Sequence, residues 1–142
     1  MTTMDRSLGV VLIVIFLAGC AAQDPAQDGM SHVRVLTALH TKVSSELGRP
    51  PKDQAEFISA LQKSGVSIEA LEVDSLDELF VSERDGQPLG VVYGKIPPNT
   101  TVVVYEQTGV DGKRQVGHRI GQVEEVDEAR FRELVPPAAA AK

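Results

Sequence analysis

The spacing of apolar and polar positions predicts a long first helix between Ser31 and Leu47. Apolar side chains recur there every three or four positions, which places them on one face of an α-helix. Ser31 is a favourable N-terminal cap, and Gly48 followed by Pro50 and Pro51 ends the helix. The residues that recur at this spacing are Val33, Leu36, Leu39 or His40, Val43 and Leu47.

A second, shorter helix is predicted to begin at Asp53. Asp53 and Glu56 have the three-residue spacing of a capping box, in which each side chain satisfies a free backbone N–H group. Ser75 and Glu78 repeat that spacing, so we predict a further helical turn over residues 76–80. The second helix would bury Phe57, Ile58 and Leu61 and end at Gly65.

The second half of the chain is rich in β-branched residues and turn residues. Asp111 and Gly112 predict a tight turn, because Asp and Gly tolerate positive φ. A last helix is predicted from Asp127, with Phe131, Leu134 and Val135 on its apolar side. Helices followed by strands predict an α+β fold with a three- to four-stranded antiparallel meander and a short C-terminal helix. The predicted strands are 89–93, 101–107, 113–118 and 122–126.

An apolar run from Leu8 to Leu17 follows a short polar start that contains Arg6. A charged region, an apolar region and a small-residue cleavage site in that order are typical of a secretory signal. The run closes with Leu17-Ala18-Gly19-Cys20, which resembles the lipobox of bacterial lipoproteins. That resemblance implies a signal peptide over residues 1–19, cleavage between Gly19 and Cys20, and lipidation of Cys20.

Two other interpretations of the apolar run stay open. It could be an uncleaved membrane helix, although Leu8 to Ala22 covers only about 15 residues and a span takes roughly 20. It could also be an ordinary signal that leaves an unmodified cysteine near the new terminus. Cys20 is the one cysteine of the chain, so its acylation would leave no thiol for a disulfide, a redox motif or a thiolate metal site.

Residues 20–30 are predicted to form a flexible tether, since they are small and polar and contain Pro25 and Gly29. A flexible chain of about 11 residues has an end-to-end distance of about 18 Å, which would hold the domain close to the membrane. We predict a single domain over 31–135 and a disordered tail over 136–142. The lipoprotein resemblance implies a membrane facing the periplasm, and Ala21 in place of Asp indicates the outer rather than the inner membrane.

The formal net charge of −6 limits the partners of this chain. Nucleic-acid affinity comes from Lys and Arg neutralising phosphates, so an acidic balance argues against a nucleic-acid partner. For the same reason we expect no adhesion to an anionic bilayer beyond the lipid on Cys20. The sequence indicates no cofactor.

Two stretches of the second half resemble the C-terminal β-domain of pseudopilins and pilin-like proteins of planctomycete-type bacteria. The first is Arg84-Asp85-Gly86-Gln87-Pro88-Leu89, followed by Gly94. The second runs from Tyr105 to Arg114 and is followed by the hairpin 118–123. The long N-terminal filament helix of that family is not matched, because the lipobox occupies its position. The resemblance therefore implies at most a shared head domain.

Histidines and serines give little sign of catalysis. His32 and His40 are eight positions apart, about 80° around a helix, so they do not form the i, i+4 pair that chelates a metal. His118 lies in a predicted strand near no other obvious metal ligand. We predict structural or surface roles for all three. The candidate nucleophiles, which lack a Gly-x-Ser-x-Gly elbow, are Ser44, Ser45 and Ser59.

Acidic residues near predicted turns make calcium binding a further hypothesis. Calcium takes six to eight oxygen ligands, and no Asp-x-Asp-x-Asp-Gly loop is present. Asp85-Gly86 and Asp111-Gly112 are explained more simply as turns. Carboxylates in runs usually form a solvated face. The calcium candidates are Asp85, Glu106, Asp111 and Glu124, and the runs are Asp74, Asp77 and Glu78, and Glu124, Glu125, Asp127 and Glu128.

The sequence therefore predicts a lipid-anchored bacterial cell-envelope protein, not an enzyme, with a small periplasmic head that serves interaction or structure. Its expected partners are the membrane, through Cys20, and unidentified envelope proteins. One alternative is a pseudopilin-like component of a secretion or pilus-type system. A second alternative is a calcium- or small-ligand-binding module.

Overall fold

A computed structural model describes residues 31–135 of the chain. The predicted signal segment, Cys20, the tether and the tail lie outside these described residues. The domain is α+β, as predicted: helices α1 and α2 precede a four-stranded antiparallel sheet, and helix α3 follows it. No helix within 31–135 is long and apolar enough to cross a membrane. The elements are α1 (His32–Leu47), α2 (Gln54–Lys63), β1 (Leu89–Val91), β2 (Val102–Glu106), β3 (Lys113–His118), β4 (Val123–Asp127) and α3 (Glu128–Leu134).

The predicted caps of α1 and α2 are confirmed. Ser31 Oγ accepts a hydrogen bond from the N–H of Arg34 at 3.2 Å, and Gly48 ends α1 in the left-handed region. Asp53 accepts from the N–H of Glu56 at 2.7 Å. The carboxylate of Glu56 reaches back one residue further than in a standard capping box and accepts from the N–H of Lys52.

The helical turn predicted near residue 76 is a 3-10 helix over Leu76–Phe80. The predicted cap is wrong in one respect, because the Ser75 side chain makes no capping hydrogen bond. The Glu78 carboxylate instead accepts from the N–H of Asp74 at 2.9 Å. The Glu78 side chain therefore fixes the start of this short helix without a contribution from the Ser75 side chain.

The sheet has the strand order β1-β2-β3-β4, so each strand pairs with its neighbour in sequence. β1 ends at Val91, two residues before the predicted end at Tyr93. The N–H of Gly94 bonds the carbonyl of Pro51 at 2.8 Å, which draws the chain away from the sheet towards the α1–α2 connection. β4 reaches Asp127, one residue beyond its predicted end, and Asp127 then caps α3.

Two apolar clusters cover the two faces of the sheet. α1 and α2 pack on one face around Phe57, which is fully buried. α3 packs on the other face, where the ring centroids of Phe131 and Tyr105 lie 5.6 Å apart. β2 contributes to both clusters because the side chains of a strand point to opposite faces, and all five of its residues are buried.

The predicted Asp-Gly turn joins β2 to β3. Val110 and Lys113 exchange two backbone hydrogen bonds of 2.9 Å, and φ is 52° at Asp111 and 73° at Gly112. Positive φ at both central residues is the signature of a type I′ turn, which matches the twist of the flanking strands.

Replacing Gly112 with alanine should lower the free energy of unfolding by about 1–2 kcal/mol, because a Cβ is disfavoured in the left-handed region. Asp111→Asn is the control, since asparagine tolerates the same region, and it should be almost neutral. Denaturant unfolding checks both variants. Equal stability of wild type and Gly112→Ala would contradict the turn type.

Candidate interaction surface

The three histidines lie in different environments within the described domain. His32, at the start of α1, places Nδ1 at 2.6 Å from the carbonyl of Val81. His40 is buried, and its Nε2 lies 3.0 Å from the carbonyl of Val92. Burial lowers the pKa of His40, although its hydrogen bond to Val92 acts in the opposite direction. These two histidines thus join α1 to separate parts of the chain.

His118 has two side-chain partners within the described domain. Its Nδ1 lies 2.8 Å from Thr101 Oγ1, and its Nε2 lies 2.8 Å from the Glu124 carboxylate. Val102 pairs with His118, and Gly117 pairs with Val123, so the strand register brings the three side chains together. The hairpin 118–123 was visible in the sequence, and its register could have indicated the contact with Glu124.

The hydroxyl, imidazole and carboxylate of this group follow the order used in nucleophilic catalysis. In those sites a buried carboxylate orients the histidine, whereas the Glu124 side chain is 45% exposed. Nε2–H donation to Glu124 would leave Nδ1 to accept from Thr101. The arrangement fixes the hairpin, and it links the start of β2 with β3 and β4 at one end of the sheet.

A cavity of about 610 Å³ opens beside His118. Arg34 from the first turn of α1 and Ile120 from the β3–β4 hairpin both line it. Ile120 is the most exposed large apolar residue in the described domain, at 72%. An apolar side chain is therefore held at the tip of a hairpin beside the start of α1.

A second cavity, of about 380 Å³, is lined by Arg119 of the same hairpin and by residues of α1. The Thr41 hydroxyl is 3.0 Å from the carbonyl of Arg119, which ties the hairpin to α1. Ser44 Oγ is 3.4 Å from His40 Nδ1. Two cationic residues, Lys95 and Arg119, line this cavity.

A third cavity, of about 430 Å³, is continuous with the second because Pro50 and Lys95 line both. Its other lining residues include Arg49 and Lys52. Arg49 makes two hydrogen bonds of 2.8 Å to Glu56. These bonds, with the backbone N–H of Lys52, lower the pKa of the Glu56 carboxyl to about 2. This end of the domain therefore combines three cationic side chains with one engaged carboxylate.

The calcium candidates do not converge on one site. Asp85 accepts hydrogen bonds from the N–H groups of Gln87 and Gly109. Asp111 lies in the exposed turn, and Glu124 pairs with His118. Among residues 31–135, no three His, Asp or Glu side chains are grouped so as to hold a metal ion.

Glu106, the fourth calcium candidate, is 1% exposed rather than lying at an open turn. Its carboxylate accepts hydrogen bonds from Ser82 Oγ at 2.9 Å, Arg84 Nη1 at 3.2 Å and the N–H of Gln115 at 2.8 Å. Arg84 also contacts Glu125 at 2.9 Å. The Arg84-Asp85-Gly86 turn, on which the pilin-like resemblance rests, is thus fixed to the sheet by its own side chains.

The runs of carboxylates are divided among different partners. Glu125 contacts Arg84 and Lys113, whereas the adjacent Glu124 contacts His118, as expected for opposite sides of a strand. Asp127 caps α3, and Glu128 pairs with Arg114 and Arg132. Asp74, Asp77 and Glu78 are exposed; Asp74 precedes the Leu76–Phe80 helix, and the other two lie within it.

No protein-family model, curated protein or solved structure matches this chain.

The burial of His40 predicts a pH-dependent stability. The unfolded chain takes up a proton near pH 6.5 that the buried imidazole takes up only at lower pH. The unfolded state therefore binds more protons below about pH 6.5, and the free energy of unfolding falls as the pH drops through that value. Above it the imidazole is neutral in both states and contributes no pH dependence.

Urea unfolding at about pH 7.5 and about pH 5.5 measures this effect above the titration range of ordinary carboxylates. His40→Gln is the control, because glutamine can still donate to the carbonyl of Val92 but does not titrate. The variant should lose less stability between the two pH values than wild type does. Identical losses would show that His40 is not the group responsible.

Proposed function

We propose that this protein is a lipid-anchored bacterial envelope protein whose head, residues 31–135, binds other envelope proteins without catalysing a reaction. The observation that carries the proposal is Cys20, which directly follows Leu17-Ala18-Gly19 and precedes the cap of α1 at Ser31. Residues 20–30 would then connect the lipid to α1. The anchor would hold the head at the membrane, facing the periplasm, with the outer membrane favoured.

The interactions of the ionisable groups support a binding role for the head. The buried carboxylate of Glu106 is held by Ser82, Arg84 and a backbone N–H. The buried imidazole of His40 is directed at a backbone carbonyl. These groups join elements of the fold, whereas the exposed loops on the rigid sheet offer surfaces for recognition. Pro97, Pro98 and Asn99, in the β1–β2 connection, form one such exposed loop.

Membrane fractionation and crosslinking test this proposal in cells. Wild-type protein should stay in the membrane fraction through high-salt washing and should crosslink to other proteins after gentle detergent extraction. Cys20→Ser should accumulate as an uncleaved precursor or leave its normal membrane. Normal attachment of Cys20→Ser would contradict the lipid anchor, and recovery of wild type as monomer alone would contradict the interaction role.

A pseudopilin-like component of a secretion or pilus-type system is the second candidate. It is favoured by the Arg84-Asp85-Gly86 turn packed against a four-stranded meander behind a long helix. In that case the lipid would replace the filament helix as the membrane attachment. Neighbouring genes for a secretion ATPase, a prepilin peptidase or a secretin would support this candidate, and their absence would remove most of its support.

A further inference from the structure

Acidic and basic residues are unevenly distributed along this chain. Residues 64–83 contain six carboxylates and no Lys or Arg. In the described domain, none of these carboxylates lines the three cavities beside α1. Among residues 31–135, Glu124 is the one carboxylate that lines any of them, and it is engaged by His118.

Five basic residues and Ile120 line these cavities, and we call the surface that they form the cationic face. Ile120 in the β3–β4 hairpin lines the first cavity and the adjacent Arg119 lines the second, and Lys95 lines both the second and the third. Ile120 stands at the tip of the hairpin with its side chain largely in solvent. The cationic face consists of Arg34, Arg49, Lys52, Lys95, Arg119 and Ile120.

We propose that the cationic face lies against the anionic headgroups of the membrane to which Cys20 is attached, with Ile120 reaching into the interface. This inference rests on the lipid anchor of the proposed function. Basic side chains around an exposed apolar one are the combination that binds an anionic lipid surface. The net charge of the whole chain does not oppose such contact strongly, because charges beyond about 8 Å are screened at physiological salt.

The position of the tether also suits this orientation. Arg34, in the first turn of α1, lines the same cavity as Ile120, so the hairpin tip lies beside the end of the helix that the tether joins. The flexible tether predicted over residues 20–30 would span about 18 Å on average, which would allow this surface to reach the bilayer. The lipid would hold the head near the membrane, and the cationic face would fix its orientation.

A single introduced tryptophan can report the orientation, because the chain contains no Trp. The test variant is Ile120→Trp. The matched control is Ala70→Trp, at an exposed position within the carboxylate-rich residues 64–83. The lipidated protein, which begins at Cys20, is reconstituted into vesicles of phosphatidylcholine alone or mixed with phosphatidylglycerol. Brominated acyl chains then quench any tryptophan that enters the interface.

In vesicles with phosphatidylglycerol, the tryptophan at position 120 should be blue-shifted and quenched several-fold more than the one at position 70. In vesicles of phosphatidylcholine alone, the difference in quenching between positions 120 and 70 should be smaller. Adding Lys95→Gln and Arg119→Gln to Ile120→Trp should reduce it as well, whereas adding Lys63→Gln should not, since Lys63 lies outside the cationic face. These neutral substitutions leave the backbone bonds of Arg119 in place, and circular dichroism confirms the fold.

Equal, weak quenching at positions 120 and 70 in both vesicle types would overturn the inference. A blue shift at position 120 without vesicles, accompanied by dimer in sedimentation, would also overturn it and would assign the face to a second copy of the chain. Flotation with phosphatidylcholine vesicles reports the lipid anchor separately. Loss of flotation would refute the lipid anchor. Quenching of the tryptophan at position 120 in vesicles that contain phosphatidylglycerol would still show whether the cationic face contacts lipid.

Discussion

Replacing Glu106 with alanine is expected to lower the free energy of unfolding by about 3–5 kcal/mol, the cost of removing one partner from a buried ion pair. The Glu106 side chain is 1% exposed and that of Arg84 is 21% exposed, so the pair is largely shielded from water. The substitution would also leave the buried Ser82 hydroxyl and the N–H of Gln115 without their acceptor. Denaturant unfolding of wild type and variant measures the loss.

Glu125→Ala is the matched control, because Glu125 contacts the same Arg84 from a side chain that is 40% exposed. Exposed ion pairs contribute about 0–1 kcal/mol, so this variant should remain close to wild type. Similar losses for the two variants would show that burial of the Glu106 carboxylate does not determine the stability of this cluster.

Replacing Gly117 with alanine is expected to cost about 2–3 kcal/mol, because α1 lies too close to β3 to accept a side chain there. A Cβ at Gly117 would be 1.8 Å from Thr37 Oγ1 and 2.9 Å from Thr37 Cβ. Thr37 is fully buried, and its hydroxyl bonds the carbonyl of Val33 at 2.6 Å, so it has little room to move. The helix or the strand must shift instead.

A double-mutant cycle with Thr37→Ala tests the origin of this cost. Thr37→Ala removes the oxygen that would clash but leaves Cβ, so the rescue should be partial. Residues in contact show interaction energies of about 0.5–3 kcal/mol, and the double variant should be more stable than the sum of the single losses implies. Simple additivity would contradict the close approach of Thr37 and Gly117.

Local sequence signals predicted the elements of this fold well. Ser31 and Asp53 cap their helices because a side-chain oxygen close in sequence can satisfy the free N–H groups. Asp111 and Gly112 form the predicted turn for a similarly local reason. The early end of β1 was missed, because it depends on the hydrogen bond between Gly94 and Pro51, which are distant in sequence.

The candidate surface could not be predicted in the same way. The sequence indicated Glu106 only as a calcium candidate near a predicted turn. Its burial depends on Arg84, which is 22 residues away in the chain. The partners of His118 follow from strand register, which the sequence indicated only for the hairpin. The net charge of −6 gives a sum over the chain, whereas recognition of a membrane depends on where the cations lie.

Intact-protein mass spectrometry of the membrane fraction tests the lipid anchor most directly, with wild type measured beside Cys20→Ser. The account predicts that wild type has the mass of residues 20–142 plus acyl groups, and that Cys20→Ser lacks this species. A full-length, unmodified mass for membrane-bound wild type would contradict it. The apolar run would then be an uncleaved anchor, and a helix-anchored, pilin-like protein would become the better interpretation.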